Sequence, residues 1–153
     1  MRVVPIILYI PRRIQYIFRS VCGYFYGNNK EEIMKVTKIA EVKKEPTTSP
    51  MFTGPVTMQE IIGTELSNRF LIRQVNFGRG VKNKFHTHTI EQILIVTEGK
   101  GIVATDKEEI TVGPGDVIFI PAGEKHWHGA AKGSSFSHLY VMSPDSKTTK
   151  LED

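Results

Sequence analysis

Two short segments of the sequence place histidines between glycines, and they constrain the fold more than any other feature. The first segment contains His86 and His88, and the second contains His126 just after a Pro-Ala-Gly turn. Side chains alternate between the two faces of a β-strand, so His86 and His88 should point to the same side. Neutral imidazole is a common metal ligand, and three protein ligands with one open position are typical of a catalytic site. The pattern predicts a divalent metal held inside a β-barrel.

Glu91 and Gln92 follow the histidine pair, and either side chain offers an oxygen atom that could face the metal. On a strand that continues without a bulge, Gln92 shares the face of His88 and Glu91 faces away, whereas one inserted residue would exchange the two. A glutamine would leave the full charge of a divalent ion in place, and a glutamate would cancel one unit. Regular alternation favours Gln92, and Glu91 is the alternative.

Together the two segments resemble the signature motifs of the cupin superfamily, Gly-x5-His-x-His-x3-Glu-x6-Gly and Gly-x5-Pro-x-Gly-x2-His-x3-Asn. The matching positions are Gly80, His86, His88, Gly99, Gly115, Pro121, Gly123 and His126. Gln92 stands where the motif has glutamate, and Ala130 stands where it has asparagine. The resemblance covers roughly residues 52 to 142. It implies an all-β, single-domain antiparallel β-barrel of the jelly-roll type.

The stretch from His126 to Ala131, followed by His138, is similar to one branch of the cupins. That branch holds small single-domain proteins related to carboxymuconolactone decarboxylase, including bacterial manganese-dependent cupin hydroxynitrile lyases. The resemblance implies one metal ion with His86, His88, Gln92 and His126 as ligands, and His138 near it as a proton carrier. Met142 departs from the hydroxynitrile lyases, which have a glutamine there.

These residues predict a metal-dependent enzyme that acts on a small polar organic molecule. The ligand types suit Mn, Fe, Ni or Zn alike. The resemblance, rather than the number of ligands, implies lyase- or decarboxylase-like cleavage of a C–C bond, or an isomerisation through an enolate, with His138 moving a proton. The alternatives are an iron-dependent oxygenase and a non-catalytic module that binds a metal or a small molecule.

Other residues near the motifs are assigned to packing. His128 shares the strand parity of His126, but we favour packing in a turn over a role in orienting the substrate. Phe52, Phe85 and Trp127 could form walls of a pocket, although aromatic residues in a small barrel more often belong to its core.

The chain length of 153 residues suits one domain. We expect an edge strand and linker over residues 34–50, the barrel over residues 51–143, and a loose tail over residues 144–153. Two strands, 92–96 and 101–105, are predicted to form a hairpin around Gly99. The segments 93–96 and 117–120 are apolar on both faces, which predicts cover on both sides. A second sheet or a second subunit would provide the outer cover, so we expect a homodimer.

Residues 1–33 differ from the rest of the chain and hold five basic residues against two acidic ones. Their longest apolar run, residues 3–10, is shorter than the roughly 20 residues that a membrane span requires. We favour a translation start at Met34, which would make this segment an artefact of the gene model. Association of residues 1–30 with a membrane surface and a structured extension packed on the barrel are the alternatives.

The net charge of +4 is concentrated in that first segment, since residues 34–153 carry 15 basic and 14 acidic residues. A nucleic-acid-binding face requires clustered basic residues, so we expect no nucleic-acid partner. Cys22 is the single cysteine of the sequence, which excludes an intramolecular disulfide. A reducing compartment is therefore expected, and we predict a cytoplasmic protein.

Overall fold

The computed structural model describes residues 34–152, which form two antiparallel sheets. In chain order the strands are β1 (Glu45–Thr47), β2 (Val56–Ile62), β3 (Leu71–Phe77), β4 (His86–His88), β5 (Gln92–Gly99), β6 (Gly101–Thr105), β7 (Glu109–Val112), β8 (Val117–Ile120), β9 (His126–Ala130), β10 (Phe136–Met142) and β11 (Thr148–Lys150). The first sheet has the order β1-β2-β3-β10-β5-β8, and the second has the order β11-β4-β9-β6-β7. This architecture confirms the predicted all-β jelly roll. Within the described residues, no helix is long and apolar enough to cross a membrane.

The hydrophobic core lies between the two sheets. Strands β3, β5 and β10 contribute buried side chains from one sheet, and strands β6 and β9 contribute them from the other. Leu94 and Phe136 are completely buried at the centre. Complete burial of side chains of this size contributes roughly 1.5–3 kcal/mol each. The core therefore fixes the spacing of the sheets that carry the histidines.

Strands β5 and β6 belong to different sheets, so the hairpin predicted around Gly99 is wrong. Strand β5 pairs with β10 and β8, whereas β6 pairs with β7 and β9. Gly99 has a φ of 73°, and a Cβ atom at this position would overlap the backbone carbonyl of Ser135. The positive φ turns the chain from one sheet into the other instead of back along β5, and this conformation favours glycine.

The segment before β1 also differs from the predicted edge strand. Ile39–Glu41 forms a single 3₁₀ turn, and the strand itself begins only at Glu45 and includes part of the predicted linker. The buried side chain of Gln59 donates from Nε2 to the carbonyl oxygens of Ile39, at 2.8 Å, and Val42, at 2.7 Å. Because this side chain satisfies those carbonyls, the segment does not need a strand partner.

The C-terminal tail is not loose, because residues 148–150 form strand β11 against β4. Thr148 is paired with His88, and Lys150 is paired with His86. The Leu151 amide extends this contact by donating to the Phe85 carbonyl at 2.8 Å. The exposed edge of β4 offers backbone donors and acceptors that need partners, and the tail supplies them.

The homodimer predicted from the sequence stays a prediction. The outward faces of the two segments that prompted it are exposed at Val117 (66%), Phe119 (64%) and Ile93 (36%). Strand β8 is an edge of its sheet, so these side chains are accessible to a second copy. The three alternatives for residues 1–33 concern a segment outside the described residues.

Candidate metal centre

Three histidines converge in the space between the sheets. Strand β4 provides His86 and His88, and β9 provides His126, which is directly paired with His86. One ring nitrogen from each residue lies within 4.8 Å of the others, and all three side chains are buried. This group could hold one metal ion, as the sequence predicts.

Backbone carbonyls orient two of these rings. The Nδ1–H group of His86 donates to the carbonyl of Lys84, and that of His126 donates to the carbonyl of Glu124, each at 2.8 Å. A hydrogen bond from Nδ1 leaves the lone pair on Nε2 available as a ligand.

The Nε2 atoms of His88 and His126 are buried without a hydrogen-bond partner in the described residues. A buried unpaired polar group costs roughly 1–3 kcal/mol. A metal ion bonded to both atoms would remove that cost, so the donor set fits a divalent transition metal.

Burial keeps these imidazoles neutral. Desolvation, followed by the charge of His126, lowers the pKa of His86 to about 3 and that of His88 to about 4. Desolvation also lowers the pKa of His126. Metal ligation requires neutral imidazole, so near pH 7 no proton has to be released from these rings before a metal binds.

Gln92 reaches the histidines from the opposite sheet. The expectation that it continues the strand of His88 is wrong, because β4 ends at His88 and a bend precedes β5. Gln92 is nevertheless buried, and its Oε1 atom has no hydrogen-bond partner in the described part of the chain. Glu91 is exposed. Gln92 therefore remains the predicted fourth ligand.

His138 lies behind His128 rather than beside the three histidines. It is fully buried on β10, and its Nε2 atom is 3.2 Å from Nδ1 of His128. The His128 ring lies 5.7 Å from that of His86 and 4.8 Å from that of His138. His128 is thus a strand residue between the candidate metal ligands and His138, not a residue packed in a turn. Because His128 has the same strand parity as His126, alternation predicts that its side chain also faces the interior of the barrel.

Asn83 holds His128 in place, and no sequence pattern predicts this contact. The Asn83 backbone amide donates to the His128 carbonyl at 3.0 Å, and its Oδ1 atom accepts from the His128 amide at 2.7 Å. Its Nδ2 atom lies 3.1 Å from Nε2 of the same ring. Asn83 reaches β9 from the loop that precedes β4, and only the folded topology joins these segments.

A cavity of about 140 Å³ opens beside the histidines. Its lining residues are Met51, Phe52, Met58, Val75, Asn83, His86, His88, Gln92, His128, Tyr140, Met142 and Thr148. Phe52 is thus a wall residue, whereas Phe85 and Trp127 are not among them and instead lie beneath Lys125 and Lys82 respectively. None of the described residues that line the cavity is a carboxylate, lysine or arginine.

The buried His138 should make the metal-free protein sensitive to acid. Desolvation lowers the pKa of His138 in the folded protein to about 4, from an ordinary value of 6.5. Between these pH values the unfolded chain binds a proton at this residue and the folded chain does not, so stability falls as pH falls from 6.5 to 4. The contribution of His138 to that loss is on the order of 3 kcal/mol.

Denaturant unfolding of the metal-free protein at pH 7 and at pH 4 measures this effect. His138→Gln keeps a polar side chain but cannot be protonated, so it should lose less stability over this range than the wild type. The substitution also removes the charge of His138 from the neighbouring His128, whose pKa that charge helps to lower, so both rings contribute to the smaller loss in the variant. Equal losses in the two proteins would contradict the assignment.

Known proteins resemble this chain in sequence and in fold. The sequence profile of the Cupin_2 family, described as a cupin domain, matches residues 74–142. The (R)-mandelonitrile lyase of Granulicella tundricola is 30% identical over 110 residues, which are 71% of this chain and 84% of the lyase. The acireductone dioxygenase of Leptospira biflexa is 39% identical over 49 residues, which are 29% of this chain and 28% of the dioxygenase. The crystal structure of a cupin-like protein from Thermotoga maritima superimposes with a TM-score of 0.69 at 29% identity, covering 76% of this chain and 90% of that protein.

Proposed function

The chain belongs to the cupin superfamily, and on that premise we propose that it is a metal-dependent enzyme that cleaves a C–C bond in a small organic molecule. The observation that carries the proposal is the convergence of buried imidazole nitrogens that have no hydrogen-bond partner within residues 34–152. Nε2 of His88 and Nε2 of His126 are both in this state, and His88 also lines a cavity large enough for a small ligand. Such a set of unpaired acceptors is costly unless a ligand completes it.

We propose His86, His88 and His126 as the protein ligands, with Oε1 of Gln92 as the fourth donor. A divalent metal bound there, whether Mn, Fe, Ni or Zn, would act as a Lewis acid towards an oxygen atom of the substrate. All four donors are uncharged, so this site would keep the full positive charge of the ion.

The walls of the cavity favour a neutral substrate with an apolar body. Met51, Met58 and Phe52 supply apolar surface, and the polar groups of the cavity are imidazoles, amides and hydroxyls. The described residues of the lining include no lysine or arginine to pair with a carboxylate or phosphate remote from the metal. We therefore narrow the expected substrate from any small polar molecule to a neutral one. Such a substrate would have an oxygen atom at one end, facing the metal, and an apolar body against the walls.

His128 is the residue that we propose to exchange a proton with the substrate. It lines the cavity, whereas His138 does not. Desolvation lowers the pKa of His128 well below its usual value, so the ring is neutral near pH 7. Nδ1 contacts His138, so the nitrogen that would exchange the proton is Nε2, which Asn83 contacts. His138 can take part only through its contact with Nδ1 of His128. The role that the sequence suggested for His138 thus becomes that of a relay partner.

Two similarities bear on the reaction class. The (R)-mandelonitrile lyase matches most of its own length to this chain, which supports a lyase. The similarity to an acireductone dioxygenase is confined to 49 residues, and it supports the iron-dependent oxygenase as the second candidate.

Met142 makes one wall of the cavity apolar. Its thioether sulfur lies 3.9 Å from Nε2 of Gln92 and faces the cavity.

The proposal can be tested with (R)-mandelonitrile as the first probe. Its cleavage would break the bond between the carbinol and nitrile carbons, remove the hydroxyl proton, and release benzaldehyde and hydrogen cyanide. The full chain is stripped with a chelator and reloaded separately with Mn²⁺, Fe²⁺, Ni²⁺ or Zn²⁺. We expect benzaldehyde release only after reloading, and no consumption of oxygen.

The same experiment separates the alternatives. Oxygen consumption with Fe²⁺ alone would replace the lyase by the oxygenase. Metal binding without turnover of mandelonitrile or of related neutral hydroxynitriles, aldehydes and ketones would leave a binding module. Activity that survives complete removal of the metal would contradict the proposal in every form.

A further inference from the structure

The three candidate ligands differ in how their rings are held. His86 and His126 each donate from Nδ1 to the carbonyl of the residue two positions earlier, so their orientation depends on their own local chain. Nδ1 of His88 instead lies 3.0 Å from Oγ1 of Thr148, 60 positions later in the sequence. One ring of the metal centre is therefore oriented from the C-terminal strand.

If Nε2 of His88 binds a metal, the Thr148 hydroxyl orients the His88 ring. A neutral imidazole that binds a metal through Nε2 carries its proton on Nδ1. The Thr148 hydroxyl must then accept that proton in a hydrogen bond. Such partners of metal-binding histidines fix the tautomer and the direction of the ring.

The strand that carries Thr148 is held by hydrogen bonds more than by apolar packing. All three residues of β11 are exposed, so burial of apolar side chains contributes little to its attachment. Next to the strand, the Thr89 amide donates to the Lys147 carbonyl at 3.0 Å, and the Phe85 amide donates to Oε1 of Glu152 at 2.9 Å. Short strands with exposed hydrogen bonds open locally at low free-energy cost.

We propose that Thr148 is a positioning residue for His88, and that the C-terminal strand is part of the metal centre, coupled to metal binding. The inference rests on the proposed function only in that a metal binds. The coupling is reciprocal: pairing of β11 with β4 strengthens metal binding, and a bound metal holds β11 in place.

Substitutions at two adjacent positions distinguish the effect of the Thr148 hydroxyl on metal binding from the effect of the strand as a whole. Thr148→Val removes the acceptor and keeps the shape, Thr148→Ser keeps the acceptor, and Thr149→Val changes the next exposed residue of β11. Zn²⁺ and Mn²⁺ affinities are measured on the full-length proteins by competition with a chelating dye. We expect Thr148→Val to bind roughly 10- to 100-fold more weakly, and the other two variants to match the wild type.

Hydrogen exchange supplies a second readout that does not depend on turnover. Metal should slow exchange of the Leu151 and Thr89 amides, which bond across the β4–β11 pair, and should do so less in Thr148→Val. Wild-type affinity in Thr148→Val, or equal weakening in Thr149→Val, would overturn the inference. If the protein binds metal tightly but catalyses no reaction, the enzyme proposal is contradicted and the proposed role of Thr148 is not. If the wild type binds no metal, both proposals are contradicted.

Discussion

Replacing His126 with alanine should leave the protein without bound metal and therefore without turnover. Nε2 of His126 is buried, has no other partner among the described residues, and lies within 4.8 Å of the facing nitrogens of His86 and His88. Loss of a direct ligand should weaken binding by more than the roughly 10- to 100-fold that loss of an outer hydrogen-bond partner costs. Elemental analysis and a metal titration of the purified full-length variant measure the effect.

Glu91 and Gln92, the two candidates for the fourth ligand, provide controls for this experiment. Glu91→Ala removes the exposed carboxylate that was the alternative ligand, so it should keep the wild-type metal content. Gln92→Ala removes the buried amide and should weaken binding without abolishing it. His126→Gln, which fills more of the space left in this fully buried position, guards against a loss caused by unfolding. Full metal content in both His126 variants would contradict the three-histidine centre.

Replacing His128 with glutamine should lower kcat by roughly 10²- to 10⁴-fold, the usual effect of losing a general acid or base, while metal content stays unchanged. His128 lies at the cavity wall, and no other described histidine outside the candidate ligands lines the cavity. Glutamine keeps a polar partner for Asn83 and His138, so the variant should fold. Steady-state turnover of the substrate found in the screen is the measurement.

His138→Gln is the matched comparison, because it alters the same pair of rings one step further from the cavity. It should reduce kcat less than His128→Gln does, since His138 acts only through His128. The opposite order, with His138→Gln inactive and His128→Gln active, would show that His138 is the residue that exchanges a proton with the substrate. Such a result would require a direct path from His138 to the cavity that the described structure lacks.

Local spacing was enough to predict the three-histidine group. His86 and His88 share a strand face by alternation, and the turn before His126 ends just where β9 begins. Gln92 was also expected to be buried, but for the wrong reason: the prediction assumed one continuous strand, whereas the chain bends after β4 and enters the facing sheet. Alternation cannot reveal such a change of sheet, because it describes only one strand at a time.

The residues around that group were harder to predict. Asn83 contacts His128 from a loop, and Thr148 contacts His88 from a paired strand, and in both cases the two residues are distant in sequence. The segment around Thr148 is polar and lacks alternation of apolar and polar residues, so its pairing with β4 has no local signature. The sheet topology determines both contacts, and it emerges only when the whole barrel is assembled.

The interleaved strand order has a consequence for how the chain folds. Among the described strands, neighbours in sequence pair only in β1–β2, β2–β3 and β6–β7, and every other pairing closes a long loop. Proteins dominated by such distant contacts have a high contact order and fold in milliseconds to seconds rather than microseconds. The histidines come from strands that meet only by these long closures. An ion bound by all three histidines would therefore be captured by an assembled barrel and would not be an early nucleus of folding.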